Sequence, residues 1–362
     1  MSALTEKLNG PESPASEEVA ACQLCGSSES DLLFSNVDRL FHRPGKFGVV
    51  RCRECGLVRL SPRPRREEID FYYPDEGYYT YNLPSGVDKH SFESSGMKDF
   101  IRDKLRDTVI SGYGYPVSLN PVQTFIQPIA NRLFLDLGTR GWRDKLPRYV
   151  PNGRALDIGC GSGTFLAALK SFGWRTVGIE MNEQAANLAR KRFGLDVRQG
   201  MIEDLPEMAG KFDYVNISHV LEHIYEPQAF LQKVKDVLAP DGIVYFELPN
   251  FESYGRRTSR EFWYPWETPR HVYMYSPETL RKQLAKAGFA IDRMRTAPGN
   301  LWIWDETYRE EDAAGEKLDP RPSASPKIAE RARTLAKNAA EAFRRDPLSG
   351  DIISCWATSN EQ

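Results

Sequence analysis

Leu156-Asp157-Ile158-Gly159-Cys160-Gly161-Ser162-Gly163 stands between a short apolar run and a segment with helical spacing. Glycine at these positions lets a backbone turn tightly and come close to a ligand with no Cβ in the way. Ala155 to Ile158 reads as a strand and Thr164 to Phe172 as the helix after it. The same alternation continues along the chain. Strands are expected at Thr176 to Ile179, around Val197, at Phe212 to Ile217 and at Ile243 to Leu248, with two more near Ile291 and Ile353. Helices are expected over Glu183 to Phe193, Pro227 to Leu238 and Pro277 to Ala287. Short apolar strands separated by helices predict an α/β, doubly wound, Rossmann-like sheet of seven strands, with a helical segment inserted before the last. Open sheets of this kind bind ligands at the carboxyl ends of their strands.

Two cofactors compete for the glycine run. A dinucleotide site needs G-x-G-x-x-G, and here the position three after Gly161 is Thr164, so that pattern fails. The run instead resembles the first motif of class I S-adenosylmethionine-dependent methyltransferases, with its acidic residue two before the first glycine. The resemblance implies that backbone at Gly159, Cys160, Gly161 and Gly163 lies against the methionine part of the cofactor. It further implies that Asp157 helps to hold the cofactor's amino group, directly or through water. Glu180 lies 23 positions on, at the end of the second strand, where it would accept hydrogen bonds from both ribose hydroxyls beside Met181. At the adenine the position expected to be Asp is Met201, so backbone at Ile202 or the Glu203 side chain would serve instead, with helix capping as the alternative role of Glu203.

Ser218-His219-Val220-Leu221-Glu222-His223-Ile224 follows the fourth strand and resembles the Leu-Glu-His motif of methyltransferases acting on sugars, quinones and other small molecules. The resemblance runs from Gly153 to about Phe289. It takes in Pro249-Asn250 and Pro269-Arg270-His271, and it implies that Ser218 and His219 line the cofactor pocket. Methyl transfer is an in-line displacement that needs the reacting atoms held ~3–3.5 Å apart. A hydroxyl or carbon acid must also lose a proton, and His is the side chain suited to that near neutral pH. His223, with Glu222, is the candidate base. The other reading makes His223 a satisfied structural histidine, with Glu222 capping backbone donors.

Tyr254, Phe262, Trp263, Tyr264, Trp266, Tyr273 and Tyr275 accompany Arg256, Arg257 and Arg270 after the fifth strand. Aromatic faces with arginines suit a sugar, a flat ring or a phosphate. Arg256, Tyr264, Trp266, Arg270 and His271 are therefore the acceptor-binding candidates. Packing of a lid onto the core is the alternative, for this cluster and for Phe71-Tyr72-Tyr73 with Tyr78-Tyr79.

Cys22-Gln-Leu-Cys25-Gly26 and Cys52-Arg-Glu-Cys55-Gly56 form C-x2-C-x26-C-x2-C. Two such knuckles suit tetrahedral Zn2+, and four protein ligands leave no position for water or substrate, so the expected role is structural. A redox pair or disulfide is disfavoured in a reducing compartment. Cys160 and Cys355 read as small buried residues.

The bulk properties frame these motifs. The 362 residues are 41% hydrophobic and 27% charged with a net charge of −2, which gives no basic field to draw nucleic acid. The organisation read from texture is a disordered tail over 1–20, a zinc ribbon over 21–62, a helical and aromatic linker and lid over 63–150, and the methyltransferase domain over 151–362 with a helical insertion at about 306–348. No secretory signal or membrane span is evident, so a cytoplasmic location is expected. Zinc ribbon, lid and core together resemble bacterial methyltransferases of polysaccharide and secondary-metabolite pathways. They also resemble sugar C-methyltransferases, which carry a further large C-terminal domain. The expectation is O-methylation of a sugar, glycan or other small hydroxylated acceptor, with S-adenosylmethionine as cofactor and a homodimer left open. A sugar C-methyltransferase, an RNA methyltransferase that uses the ribbon for recognition, and a non-catalytic cofactor-binding scaffold are the alternatives.

Overall fold

The computed structural model describes residues 14–74, 97–133, 145–204, 211–299, 302–315 and 325–360. Five strands open the chain: β1 (Ser16–Glu17), β2 (Ser30–Asn36), β3 (Phe47–Cys52), β4 (Val58–Leu60) and β5 (Arg63–Pro64). Helices α1 (Met97–Ser111) and α2 (Pro121–Leu133) follow. The α/β alternation then runs β6 (Arg154–Ile158), α3 (Thr164–Ser171), β7 (Arg175–Glu180), α4 (Glu183–Phe193), β8 (Asp196–Gln199), β9 (Phe212–Ser218), α5 (Pro227–Val237) and β10 (Leu238–Pro249). After it come α6 (Tyr254–Ser259), β11 (Tyr273–Met274), α7 (Pro277–Lys286), β12 (Phe289–Ala297), α8 (Trp302–Ala314), α9 (Pro326–Arg345) and β13 (Ile352–Ser359).

Seven strands form one mixed sheet in the order β12-β13-β10-β9-β6-β7-β8, the Rossmann-like methyltransferase arrangement expected. β6 pairs in parallel with β7 and β9, and β7 with β8, while β12 and β13 are antiparallel. Parallel strands covered on both faces lose the polar–apolar alternation, and β6 is buried at every position after Arg154. Helix boundaries follow local chemistry. The Asn182 side chain accepts from the Ala185 amide at the start of α4, and Gly194 ends that helix with φ 58°, a left-handed conformation glycine adopts without strain. Ser276 and Thr279 cap α7 reciprocally.

The chain divides into two compact units. One comprises Gly77–Ile217 with Lys233–Tyr245, and there Leu166, Ala167, Ala186, Ala189, Leu195 and Val197 form one apolar cluster between helices and strands. The other comprises Met1–Glu76 with Ser218–Gln232 and Phe246–Asn360. Its four-stranded sheet runs β11-β4-β3-β2, so the cysteine-bearing hairpin is completed by Tyr273 and Met274 from far along the chain. That sheet shares a core with Phe251, Trp263 and Trp266.

Three details differ from the sequence expectation. β10 starts at Leu238 rather than Ile243, running through Gly242, where a Cβ would come within 2.7 Å of the Phe212 carbonyl. The helical insertion expected at about 306–348 begins earlier, at Trp302, and comprises two helices, Trp302–Ala314 and Pro326–Arg345. Ala332 and Ala339 of α9 pack against Trp302, Tyr254, Ile303 and Leu335, so its apolar stripe is seated within the same chain. The 1–20 tail is described only from residue 14, where Ser16–Glu17 pairs with β5 as a strand instead of remaining disordered. Tyr78 and Tyr79 lie outside the described residues.

Candidate functional site

In the first unit the turn after β6 is held by its own neighbourhood. The amides of Gly159 and Cys160 both donate to the Ile179 carbonyl, at 2.8 and 3.0 Å. Gly159 and Gly161 have φ of 72° and 52°. The Glu180 carboxylate closes the turn: Oε2 accepts the Gly161 amide and Oε1 the Asn182 amide, both at 2.8 Å. Gly163 has another task, since a Cβ there would meet Ala189 and Leu195 at 2.7 Å. Asp157 is buried and accepts a 2.5 Å hydrogen bond from Asn216 Nδ2. Burial pushes Asp157 up to about 6, against the pull of Lys145 and Asn216. Burial likewise raises Glu180, opposed by the amides of Asn182, Gly161 and Met181. Ile202 is buried, and Glu203 Oε2 is enclosed with no hydrogen-bond partner among the described residues. Met181 is 56% exposed.

In the second unit, Leu221–His223 forms a single 3₁₀ turn. His219 precedes it in the left-handed region at φ 56°, fixed by its amide donating to the Glu247 carbonyl at 2.7 Å. Its ring lies between two carboxylates: Nδ1 is 3.4 Å from Glu222 Oε1, and Nε2 is 3.4 Å from Glu247 Oε1. Burial works against the imidazolium, but Glu222 and then Glu247 raise His219 to about 10. His223 goes the other way. Burial and His271 lower it to about 4, despite Glu222 and Glu267. Burial disfavours the Glu222 charge, yet His219, His271 and His223 together hold that carboxylate below its ordinary value. The His223 and His271 rings meet edge to face at 4.5 Å, and Tyr73 Oη is 2.9 Å from His223 Nδ1.

The expected acceptor residues are placed differently from the expectation. Arg270 is 0% exposed. It donates to both Asp38 carboxylate oxygens at 2.8 and 3.2 Å, to the Tyr72 carbonyl at 2.9 Å and to Glu267 at 3.3 Å. Its planar fork is therefore committed to the protein interior, which corrects its reading as an acceptor-facing cation. Trp266 is buried against Phe34, Phe251 and Trp263, with Nε1 donating to the Arg260 carbonyl. Tyr264 is buried in a stack with Tyr308, and its amide donates to Asp305. Both tyrosine and tryptophan serve as packing, the bland alternative. Arg256 is half-buried, donating to the Phe251 carbonyl at 2.7 Å beneath a cation–π contact with the same residue. His271 is drawn to the Glu222–His223 cluster instead of to the aromatic face.

The four cysteines converge. Cys22 and Cys55 sulfurs are 3.5 Å apart, as are those of Cys25 and Cys52, and all four lie within 4.8 Å of one another. Sulfurs on a tetrahedral zinc with bonds of ~2.3 Å would be roughly 3.8 Å apart, so this donor set fits that ion. Gly26 and Gly56 end the two knuckles at φ 82° and 80° and donate back to Cys22 and Cys52. Burial works to raise the Cys52 thiol, but hydrogen bonds led by the Cys55 amide bring it down to about 7.

Comparison with known proteins adds the lineage. A sequence model described as a methyltransferase domain matches residues 132–293. The ubiquinone biosynthesis O-methyltransferase of Haemophilus ducreyi is 30% identical over 197 residues, covering 51% of this chain and 70% of that protein. The chain belongs to the S-adenosylmethionine-dependent methyltransferases. The relative of the same name from Actinobacillus pleuropneumoniae serotype 7 is 32% identical over 143 residues, or 36% of this chain, and the chain spans about half of that protein's length, 54%. Among solved structures, a methyltransferase from Archaeoglobus fulgidus aligns over 66% of this chain and 99% of its own, at 22% identity and a TM-score of 0.42.

The methyltransferase cofactor can be tested against the residues in the first unit. Glu180 Oε2 accepts the Gly161 amide and Oε1 the Asn182 amide, and a carboxylate with about four lone-pair sites keeps capacity for hydroxyl donors. Among the described residues no cation is bonded directly to Asp157, and a bound ammonium would offset the burial that raises it. The orphaned Glu203 oxygen suits an amine donor. The chemistry of the donor set fits. Sequence reasoning missed Asn216 beside Asp157, Glu247 beside His219 and Tyr73 at His223. Only Tyr73 had a signal, as part of the second aromatic cluster.

Proposed function

We propose that the protein transfers a methyl group from S-adenosylmethionine to an oxygen of a small hydroxylated acceptor, a sugar or glycan being the first class to test. The observation that carries the cofactor half is the Glu180 carboxylate fastened to the Gly161 and Asn182 amides, with Asp157 buried at the head of the same turn. In this reading Asp157 and the glycine loop hold the methionine part. Glu180 and Met181 hold the ribose, Ile202 and Glu203 face the adenine, and Ser218 and His219 border the sulfonium. The name of the relatives, ubiquinone biosynthesis O-methyltransferase, supports oxygen as the acceptor atom.

Glu222 and His223 are the residues proposed to set the ionisation of the acceptor. Because His223 is held near 4, it is neutral at pH 7 and a weak base for an ordinary alcohol. It acts best by helping to lower the hydroxyl's own pKa rather than by removing its proton unaided. Arg256 and His271 remain the candidates for contact with the acceptor. Zn2+ on Cys22, Cys25, Cys52 and Cys55 is proposed as structural, because four thiolates fill a tetrahedral shell.

The test is calorimetric titration of purified protein with S-adenosylmethionine and, separately, with NAD. Micromolar binding of the first is expected, weakened roughly 10–100-fold by Glu180→Ala, the loss of about 1.5–3 kcal/mol for a charged hydrogen bond. Binding of NAD with equal affinity, or no effect of the substitution, would sink the cofactor assignment. A methyl-transfer screen over sugars, glycans and phenols then reads the acceptor, and label found only in nitrogen, protein or RNA would reject the oxygen reading.

A further inference from the structure

Glu222 is 1% exposed, and neither carboxylate oxygen has a hydrogen-bond partner among the described residues. A buried carboxylate without donors is costly, and it is retained where a cation or a ligand answers it. His219 stands 3.4 Å from Oε1 on one side. On the other lie two imidazoles, His223 and His271, and one ligand atom from each of the three residues lies within 4.8 Å of the others.

The orientation of both rings is fixed from behind. His223 Nδ1 is 3.1 Å from the Arg270 carbonyl, and His271 Nδ1 is 2.7 Å from the Pro265 carbonyl. A carbonyl only accepts, so His271 Nδ1 carries the hydrogen and its Nε2 the lone pair. At His223, whose Nδ1 also meets Tyr73 Oη at 2.9 Å, the same tautomer follows when that nitrogen donates to the Arg270 carbonyl and the Tyr73 oxygen. Metal-ligating histidines are held in this way, with the distal N–H donating to a carbonyl or carboxylate. The Arg270 carbonyl belongs to a residue that is itself locked by Asp38, Tyr72 and Glu267. Glu267 Oε2, 3.5 Å from His271 Nε2, adds negative charge beside the cluster.

We propose that Glu222, His223 and His271 form a second metal site, separate from the four cysteines, which takes a divalent transition-metal ion such as Zn2+. Two imidazoles and one carboxylate suit Zn2+, Fe2+ or Co2+, whereas Mg2+ and Ca2+ prefer oxygen ligands alone. Three protein ligands leave a coordination position open. What that position does rests on the methyltransferase reading: an acceptor oxygen bound there would ionise more readily. The existence of the site does not depend on that reading.

The experiment uses the full-length protein, stripped with a chelator and titrated with Co2+ and then Zn2+, with metal content measured by mass spectrometry. Two equivalents per chain are expected. The thiolate site gives intense near-ultraviolet charge-transfer bands, and the second adds visible bands without them. Glu222→Gln combined with His271→Gln is expected to remove the second equivalent and leave the first. A single equivalent in the wild type overturns the proposal, and so does a second that survives both substitutions. The wild-type cobalt spectrum decides the matter even if the variant fails to fold. Calorimetry with S-adenosylmethionine on the same samples separates the two readings. One metal with cofactor binding removes the second site alone, and two metals without cofactor binding remove the proposed methyl transfer alone.

Discussion

The turn after β6 and the stretch from Phe251 to His271 are both dense in chemistry-bearing residues, yet they are held in opposite ways. At the turn, the partners come from the same βαβ unit: Gly161 and Glu180 are 19 positions apart. Around Arg270 they come from across the chain, with Asp38 232 positions away. A charged residue whose partners are local announces its place in the sequence. One whose partners are distant looks like a free surface cation until the fold supplies the other half.

Removing metal from the cysteine cluster should break the distantly held region most severely. In small zinc peptides the ion contributes about 10–16 kcal/mol of apparent binding free energy, most of it expressed as folding. Here the knuckles anchor β2, β3 and β4, whose inner face shares a core with Trp263 and Trp266. Chelation, or Cys52→Ser, is therefore expected to change tryptophan fluorescence and lower the urea midpoint sharply. An unchanged spectrum after complete removal of metal would show that the apolar core alone holds this sheet.

Arg270→Ala comes next. It strands the Asp38 carboxylate in the interior, and breaking a buried pair typically costs about 3–5 kcal/mol. Lys should rescue poorly, because it lacks the fork that engages both Asp38 oxygens and the Tyr72 carbonyl. Urea unfolding measures this directly. If stability holds while acceptor affinity falls, Arg270 returns to the acceptor site and the contrast drawn above fails.

The same contrast explains what the sequence made legible. The strands from Ala155 to Leu248 and the helices between them were readable, since each is an apolar run closed by a local glycine, cap or turn. β11 was not. Two residues, Tyr273 and Met274, carry no strand signal of their own and pair only because Val58 and Arg59 wait beside them. α8 was obscured because Asp305, Glu306 and Glu311, all buried, look like surface residues until their partners are known. The Glu222–His223 segment was visible as a motif, whereas the carbonyls of Arg270 and Pro265 that orient the two histidine rings left no trace in side-chain pattern.

The smallest expected effect, and the sharpest test of the local region, is a pair of opposite pH slopes from Asp157. In the free protein its pKa is about 6 against an ordinary 3.8, chiefly through burial. The folded chain thus holds this proton more tightly than the unfolded one. Its contribution to stability is greatest below about 4 and is lost as pH rises through 6, roughly 2–4 kcal/mol in all. Cofactor affinity should move the other way, because an ammonium is best held by an ionised carboxylate. Affinity for S-adenosylmethionine is expected to fall about tenfold for each pH unit below 6, toward a lower plateau. Asp157→Asn should abolish both slopes, binding weakly at every pH while unfolding with less dependence on it. Calorimetry and urea melts between pH 4.5 and 7.5 give the two curves. Parallel slopes would mean that Asp157 does not face the cation, and the amino group would have to be sought elsewhere on the turn.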